Sequence, residues 1–189
     1  MGIDPVVVAQ QIFRVLETGD PKLAVETAAH TFHNREAAVA PAAASLPGPA
    51  GLLASSAWMR SAFSDLHFEF TDSAMHDGRV WLRLRMQGVH TGAFVRYRNG
   101  APAQAVAPAG KRIDFEQIHL LRVVDGKVTD HEAVRDDITM LGQLGVFPPT
   151  PAGGLTMLAW TITGKAKRAA AAVSAAADRA AAQVPTPAP

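Results

Sequence analysis

Between Ile113 and Gly145 the chain reads IDFEQIHLLRVVDGKVTDHEAVRDDITMLGQLG, and Gln117, His119, His131, Arg135 and Asp136 are polar side chains in it whose facing decides what chemistry it can do. A neutral imidazole can hydrogen-bond a carbonyl and stabilise an enolate, and an amide beside it can assist. A carboxylate made more basic by a desolvated cavity can serve as a general base near neutral pH. Asp125-Gly126 between two alternating apolar runs predicts a β-hairpin, because both central residues of a type I′ turn need positive φ. Such a turn sets the register, so Phe115, Gln117, His119 and Leu121 share one face, opposite Asp114, Glu116 and Arg122. Along the second strand, if it has no bulge, Val128, Asp130, Glu132, Val134 and Asp136 share a face. His131 and Arg135 then fall on the other, toward the outer side of the sheet or a subunit contact.

The candidate site is therefore Asp136 as acid/base and His119 as its catalytic partner, with Gln117 beside it for a developing oxyanion and Glu132 as a neighbouring carboxylate. Structural roles compete at each position. An aspartate before a helix is an ordinary N-cap, a role open to Asp137 as well; His119 also reads as a core histidine satisfied by a neighbour, and Glu132 as part of a solvated edge.

The preceding elements must position this hairpin. Val8, Ile12, Val15 and Leu16 recur at helical spacing between Pro5 and Thr18, with Gly19 just beyond. Asp20-Pro21 starts a second short helix to about Ala29. From His30 to Gly48 no period is visible, and this stretch reads as a loop whose Asn34 would gate a pocket. A third helix, Pro49 to Phe63, carries Trp58 among bulky groups suited to lie across a sheet and line its cavity. Strands follow at His67 to Phe70 and Val80 to His90, and the parity of Leu82, Leu84 and Met86 places His90 at the end of the buried face. Thr91 to Gly110, rich in Gly, Pro and Ala, reads as an irregular excursion. After the hairpin, Ile138, Leu141 and Leu144 form a short helix stopped by Gly145 and Pro148-Pro149.

Helices followed by antiparallel strands define an α+β domain over residues 1–151, a curved sheet packed on helices around a pocket. Residues 152–189 form an alanine-rich helical extension ending in a Pro-rich tail. Hydrophobic content of 48% and net charge of +1 fit a globular chain and disfavour a nucleic-acid partner. The chain has no cysteine, which removes thiolate chemistry and disulfides. The N-terminus has no basic leader with an apolar run, and no stretch reaches membrane-spanning length, so a cytoplasmic location is expected. His90, His119 and Asp136 have no spacing that supports a metal site, and no cofactor motif is present.

The runs FHNREA, AFSDLHFEF, GVHTGAF and QIHLLRVVDGKVTDHEAVRDDITMLGQLG resemble the SnoaL-like polyketide cyclases, or ester cyclases, of the nuclear transport factor 2-like superfamily, over roughly Pro5 to Pro151. The resemblance implies a cone-shaped α+β barrel and intramolecular aldol ring closure on a small hydrophobic carbonyl substrate, without cofactor or metal. By motif position the acid/base aspartate corresponds to Asp136 and the cavity histidine to His119. Homodimerisation through the outer sheet face is also implied. Glu132 stands where the family usually has an aromatic residue, and Val134 where a polar one is common, which alters the pocket lining. Two other functions fit the same fold: a non-catalytic binding or dimerisation module, favoured if Asp136 is solvent-exposed, and an epoxide or ester hydrolase.

Overall fold

The computed structural model describes residues 4–184, so the Pro-rich tail at 185–189 lies outside the described residues. Helix α1 (Pro5–Thr18) starts at an Asp4 cap and ends at Gly19 in the left-handed region. It is followed by α2 (Pro21–Thr27), capped by Asp20. The sheet strands are β1 (Ala28–Asn34), β2 (Phe63–His76), β3 (Arg79–His90), β6 (Arg112–Val124) and β7 (Lys127–Arg135), and β4 (Phe94–Arg98) with β5 (Ala101–Val106) forms a separate hairpin. Between β1 and β2 lie two short 3₁₀ turns and α3 (Pro49–Ala62); α4 (Asp137–Leu144), α5 (Pro151–Ile162) and α6 (Lys165–Ala181) close the described chain.

The strand order is β1-β7-β6-β3-β2, antiparallel except for the parallel pair β1–β7. The α+β architecture is the one expected, but this pairing makes the sheet mixed. The loop expected from His30 to Gly48 in fact begins with β1, and α2 stops at Thr27. In β1 only Ala28 and Phe32 are buried. One bulky apolar residue among alanines and polar groups gave no visible period, and an edge strand needs little more.

Asp125 and Gly126 take φ of 50° and 74°, and the β6–β7 hairpin forms around them. The same chemistry operates inside the expected irregular excursion, where Asn99 and Gly100 at φ 52° and 75° close the β4–β5 hairpin.

Sheet and helices meet in one core. Phe13 of α1 is fully buried and meets Phe68, Phe70 and His119 edge-on, with ring centroids 5.1, 5.5 and 4.8 Å away. Ser56 of α3 donates to Val15 O at 2.9 Å, which ties the two helices together. Helix α6 buries Ala170, Val173, Ala177 and Ala181. Small side chains at this spacing let it lie close against the domain, and Tyr97 of β4 meets Ser174 across the contact, Oη to Oγ 3.0 Å. Among the described residues no helix is long and apolar enough to cross a membrane.

Candidate active site

The curved sheet, α1, α3 and α4 leave an open cavity between them. Ile12, Leu16, Leu52, Met59, Phe68, Met86, Phe115 and Met140 make it apolar; Trp58 and Phe94, stacked at 5.9 Å, add an aromatic wall. Trp58 is held by its indole N–H donating to Val95 O at 2.8 Å. The polar lining divides into a buried floor and an open rim. Gln117, His119 and His131 form the buried floor with half-buried Asn34 joined to it, Glu36, Arg135 and Asp137 are half-buried, and Arg96 is exposed.

Which residues reach the cavity is decided by a bulge in β7. Val123 pairs with Val128 but Arg122 pairs with Asp130, so Thr129 is an extra residue without an opposite number. Parity reverses there. Val128 is buried, and three positions on so is His131, at 6% exposure; Ala133 and Arg135 follow on the inner face opposite His119 and Gln117. Asp136 and Glu132 must therefore be corrected, because both turn away from the pocket and neither lines it. Asp136 is exposed and caps α4, its carboxylate accepting from the Thr139 N–H at 3.0 Å and from the Thr139 hydroxyl. These two bonds hold its pKa below the ordinary aspartate value. Glu132, with its side chain 46% exposed, lies 3.9 Å from Arg35.

His90 is buried but outside the pocket lining, packed against Phe63 at 5.5 Å between ring centroids. Its Nδ1 accepts from the Ala109 N–H at 3.2 Å, and its Nε2 has no partner among the described residues. Burial lowers its pKa. It ties down the base of the β4–β5 excursion rather than facing a ligand.

The floor is one line of hydrogen bonds. Asn34 is fixed by the Glu36 N–H donating to its Oδ1 at 3.1 Å and by its own Nδ2 donating to Ser55 Oγ at 3.3 Å. His131 Nδ1 lies 3.0 Å from that Oδ1, His131 Nε2 lies 2.8 Å from His119 Nδ1, and His119 Nε2 lies 2.6 Å from Gln117 Oε1. An amide oxygen only accepts, so His131 Nδ1 carries a proton; neutral His131 then accepts at Nε2 from His119 Nδ1–H. A neutral His119 is left with a lone pair on Nε2, aimed at a second acceptor. Three contacts need three protons, and two neutral imidazoles bring two. The count is met when the Gln117 amide turns its N–H toward His119, giving up a 3.3 Å contact to Met86 Sδ, or when His119 Nε2 takes up a proton.

Burial, then the neighbouring His131, then Arg135 hold the His119 pKa well below the usual imidazole range. Burial and Arg135 lower that of His131 to about 4. Both rings are thus neutral at pH 7, leaving one lone pair on His119 Nε2. At the rim, Arg135 is ion-paired to Glu36 at 2.7 Å and Asp137 at 3.4 Å.

The site thus joins Asn34, Trp58, Gln117 and His119 with His131, Arg135, Glu36 and Asp137, which parity reasoning had placed elsewhere or passed over. The one available signal was the polar Thr129-Asp130 pair, which interrupts alternation between Val128 and His131.

A curved α+β sheet closed by helices over an apolar cavity with a polar floor is the architecture of the nuclear transport factor 2-like proteins. The model of the SnoaL-like polyketide cyclases matches residues 6–144, and the chain belongs to that family. Among curated relatives, the aklanonic acid methyl ester cyclase DnrD of Streptomyces peucetius is 38% identical over 109 residues, covering 57% of this chain and 69% of the relative. The aklanonic acid methyl ester cyclase DauD of Streptomyces sp. strain C5 is 38% identical over 57% of this chain and 62% of its own length. The nogalonic acid methyl ester cyclase of Streptomyces nogalater is 32% identical over 52% and 67%. Of solved structures, TsrD from Streptomyces laurentii superposes with a TM-score of 0.58 at 19% identity, covering 75% of this chain and 94% of that one. IdmH from Streptomyces antibioticus does so with 0.57 at 22%, covering 76% and 100%. At these identities the two structures speak for the fold.

Proposed function

We propose that this chain closes a ring in a hydrophobic, carbonyl-bearing polyketide-like substrate by intramolecular aldol addition, with His119 as the proton carrier. The observation that carries this is the unfilled cavity over a floor wired to accept one proton at His119 Nε2. His119 Nε2 removes a proton from carbon beside a carbonyl, and the Gln117 amide N–H donates to the enolate oxygen. The enolate carbon bonds to a second carbonyl carbon of the same molecule, and the resulting alkoxide takes the proton back from His119. While protonated, His119 donates from Nε2 and from Nδ1 to His131, whose other nitrogen is held by Asn34; this orients the ring as the third member of a triad does. Asp137 and Glu36 also line the pocket, but both are engaged by Arg135. The relatives named as aklanonic and nogalonic acid methyl ester cyclases support the substrate class.

A second function is favoured by one observation: Asp136, the carboxylate expected to act as the base, is exposed and occupied as a cap. Without it the same pocket could serve as a non-catalytic binding module. Incubating the protein with aklanonic acid methyl ester and following cyclised product by chromatography separates the two. Product formed by the wild type and lost by a hundredfold or more in His119→Asn supports the ring closure, whereas binding without product supports the module.

We further infer a cytoplasmic homodimer joined through the outer sheet face, without a nucleic-acid partner. Exposed Ile118 and Val134 on that face, and the net charge of +1, support this. Light scattering on a size-exclusion column that finds only monomer at micromolar concentration contradicts the dimer.

A further inference from the structure

The rim carries a cation that the ring closure leaves unused. Phe94 and Arg96, two apart on β4, both line the pocket, while Val95 and Tyr97 between and beyond them are buried. The hairpin bearing them is not hydrogen-bonded into the main sheet. It is braced from behind instead, by the Trp58 indole donating to Val95 O at 2.8 Å and by the 3.0 Å contact of Tyr97 Oη with Ser174 Oγ. Ser174 belongs to α6, beyond residue 144 where the family match ends. The extension thus steadies the strand that presents Arg96.

Arg96 is exposed and has no carboxylate within ion-pair distance among the described residues. The two acidic groups of the lining, Glu36 and Asp137, are already held by Arg135. A guanidinium is always charged, pairs well with planar oxyanions and stacks on aromatic rings. The cavity is therefore lined by a buried histidine pair, by apolar side chains and by an exposed, unneutralised cation.

We propose that Arg96 binds an oxyanion, a carboxylate or an ionised phenol, at the end of an apolar ring substrate remote from the reacting carbon. This rests on the ring-closing function for the direction of entry. Binding at a distance from the chemistry orients the reacting end over His119 and reads the substrate's charge.

Calorimetric titration tests this with anthraquinone-2-carboxylate, its methyl ester, and 2-hydroxyanthraquinone below and above the ionisation of its phenol. The wild type is expected to bind the carboxylate about five- to tenfold more tightly than the ester, an advantage that shrinks at high salt. In Arg96→Gln the advantage disappears while ester affinity stays, the ester itself reporting that the pocket is intact. A gain on phenol ionisation that Arg96→Gln abolishes assigns phenolates as well as carboxylates; no gain assigns carboxylates alone. An acid-to-ester ratio near one in the wild type, or one unchanged in Arg96→Gln, overturns the inference but leaves the ring closure standing. Binding of none of the probes overturns both.

Discussion

At the scale of single residues, the floor of the cavity is governed by where water is excluded. His119 and His131 lie 4% and 6% exposed, and their rings lie nearly coplanar with centroids 5.1 Å apart, joined edge to edge by their hydrogen bond. Because burial holds the native His131 pKa near 4, the unfolded chain takes up a proton below about pH 6.5 that the native protein declines. Its contribution to stability is complete above pH 6.5 and is lost as pH falls toward 4, up to about 3 kcal/mol. Denaturant unfolding between pH 6.5 and 4.5 should show a slope of stability against pH shallower by about one proton in His131→Asn than in the wild type. Asp136 has the opposite character, since it acts through Thr139 on the start of α4. Asp136→Ala should cost about 1 kcal/mol of stability as a lost cap. Gln117 and His119 were legible in the sequence because β6 alternates without interruption from Ile113 to Leu121. Alternation counted along β7 from Val128 does not place Asp136, because the parity changes at Thr129.

At the scale of elements, that change is one residue. Thr129 has no ladder position opposite it in β6, and because it is bulged out His131 and Arg135 share the inward face of Val128 while Glu132, Val134 and Asp136 face outward. Deleting Thr129 leaves the Asp130–Arg122 pair directly beside Val128–Val123, so the ladder becomes regular and His131 keeps its inward face. The deletion variant is expected to retain turnover within about tenfold of wild type, while circular dichroism still shows a folded sheet. A loss of at least about a hundredfold in a folded deletion variant would mean that the bulge itself, beyond the inward parity of His131, is needed to build the site. Turns were the most legible elements, since Asp77-Gly78 and Asp125-Gly126 adopt the positive φ that their composition dictates. Asn99-Gly100 carried the same signal, but the surrounding Pro and Ala obscured the short strands that flank it. Strand β1 was hidden for a different reason. It gains its place from parallel pairing with β7 about a hundred residues away, a contact no local pattern encodes.

At the scale of the whole molecule, the helices do two jobs. Helices α1 and α3 fill the concave side of the sheet without filling the cavity, and α6 covers α3 and braces the β4–β5 hairpin. Val173, 5% exposed on α6, tests the second job. Val173→Ala should destabilise the protein by about 2 kcal/mol if the extension is integral to the domain, and by almost nothing if it is an independent appendage. The α+β class could be read from the order of helices and strands. The docking of α6 could not, because an alanine-rich helix carries little hydrophobic pattern to declare which face is buried. All three scales converge on His119, placed by regular alternation, oriented by a histidine that faces inward beyond a bulge, and covered by a helical layer. The most direct measurement is the rate of ring closure of aklanonic acid methyl ester by Asp136→Ala and His119→Asn side by side. The account predicts a rate within about twofold of wild type for the first and a loss of at least about a hundredfold for the second. The reverse order would place the acid/base at Asp136 and contradict it.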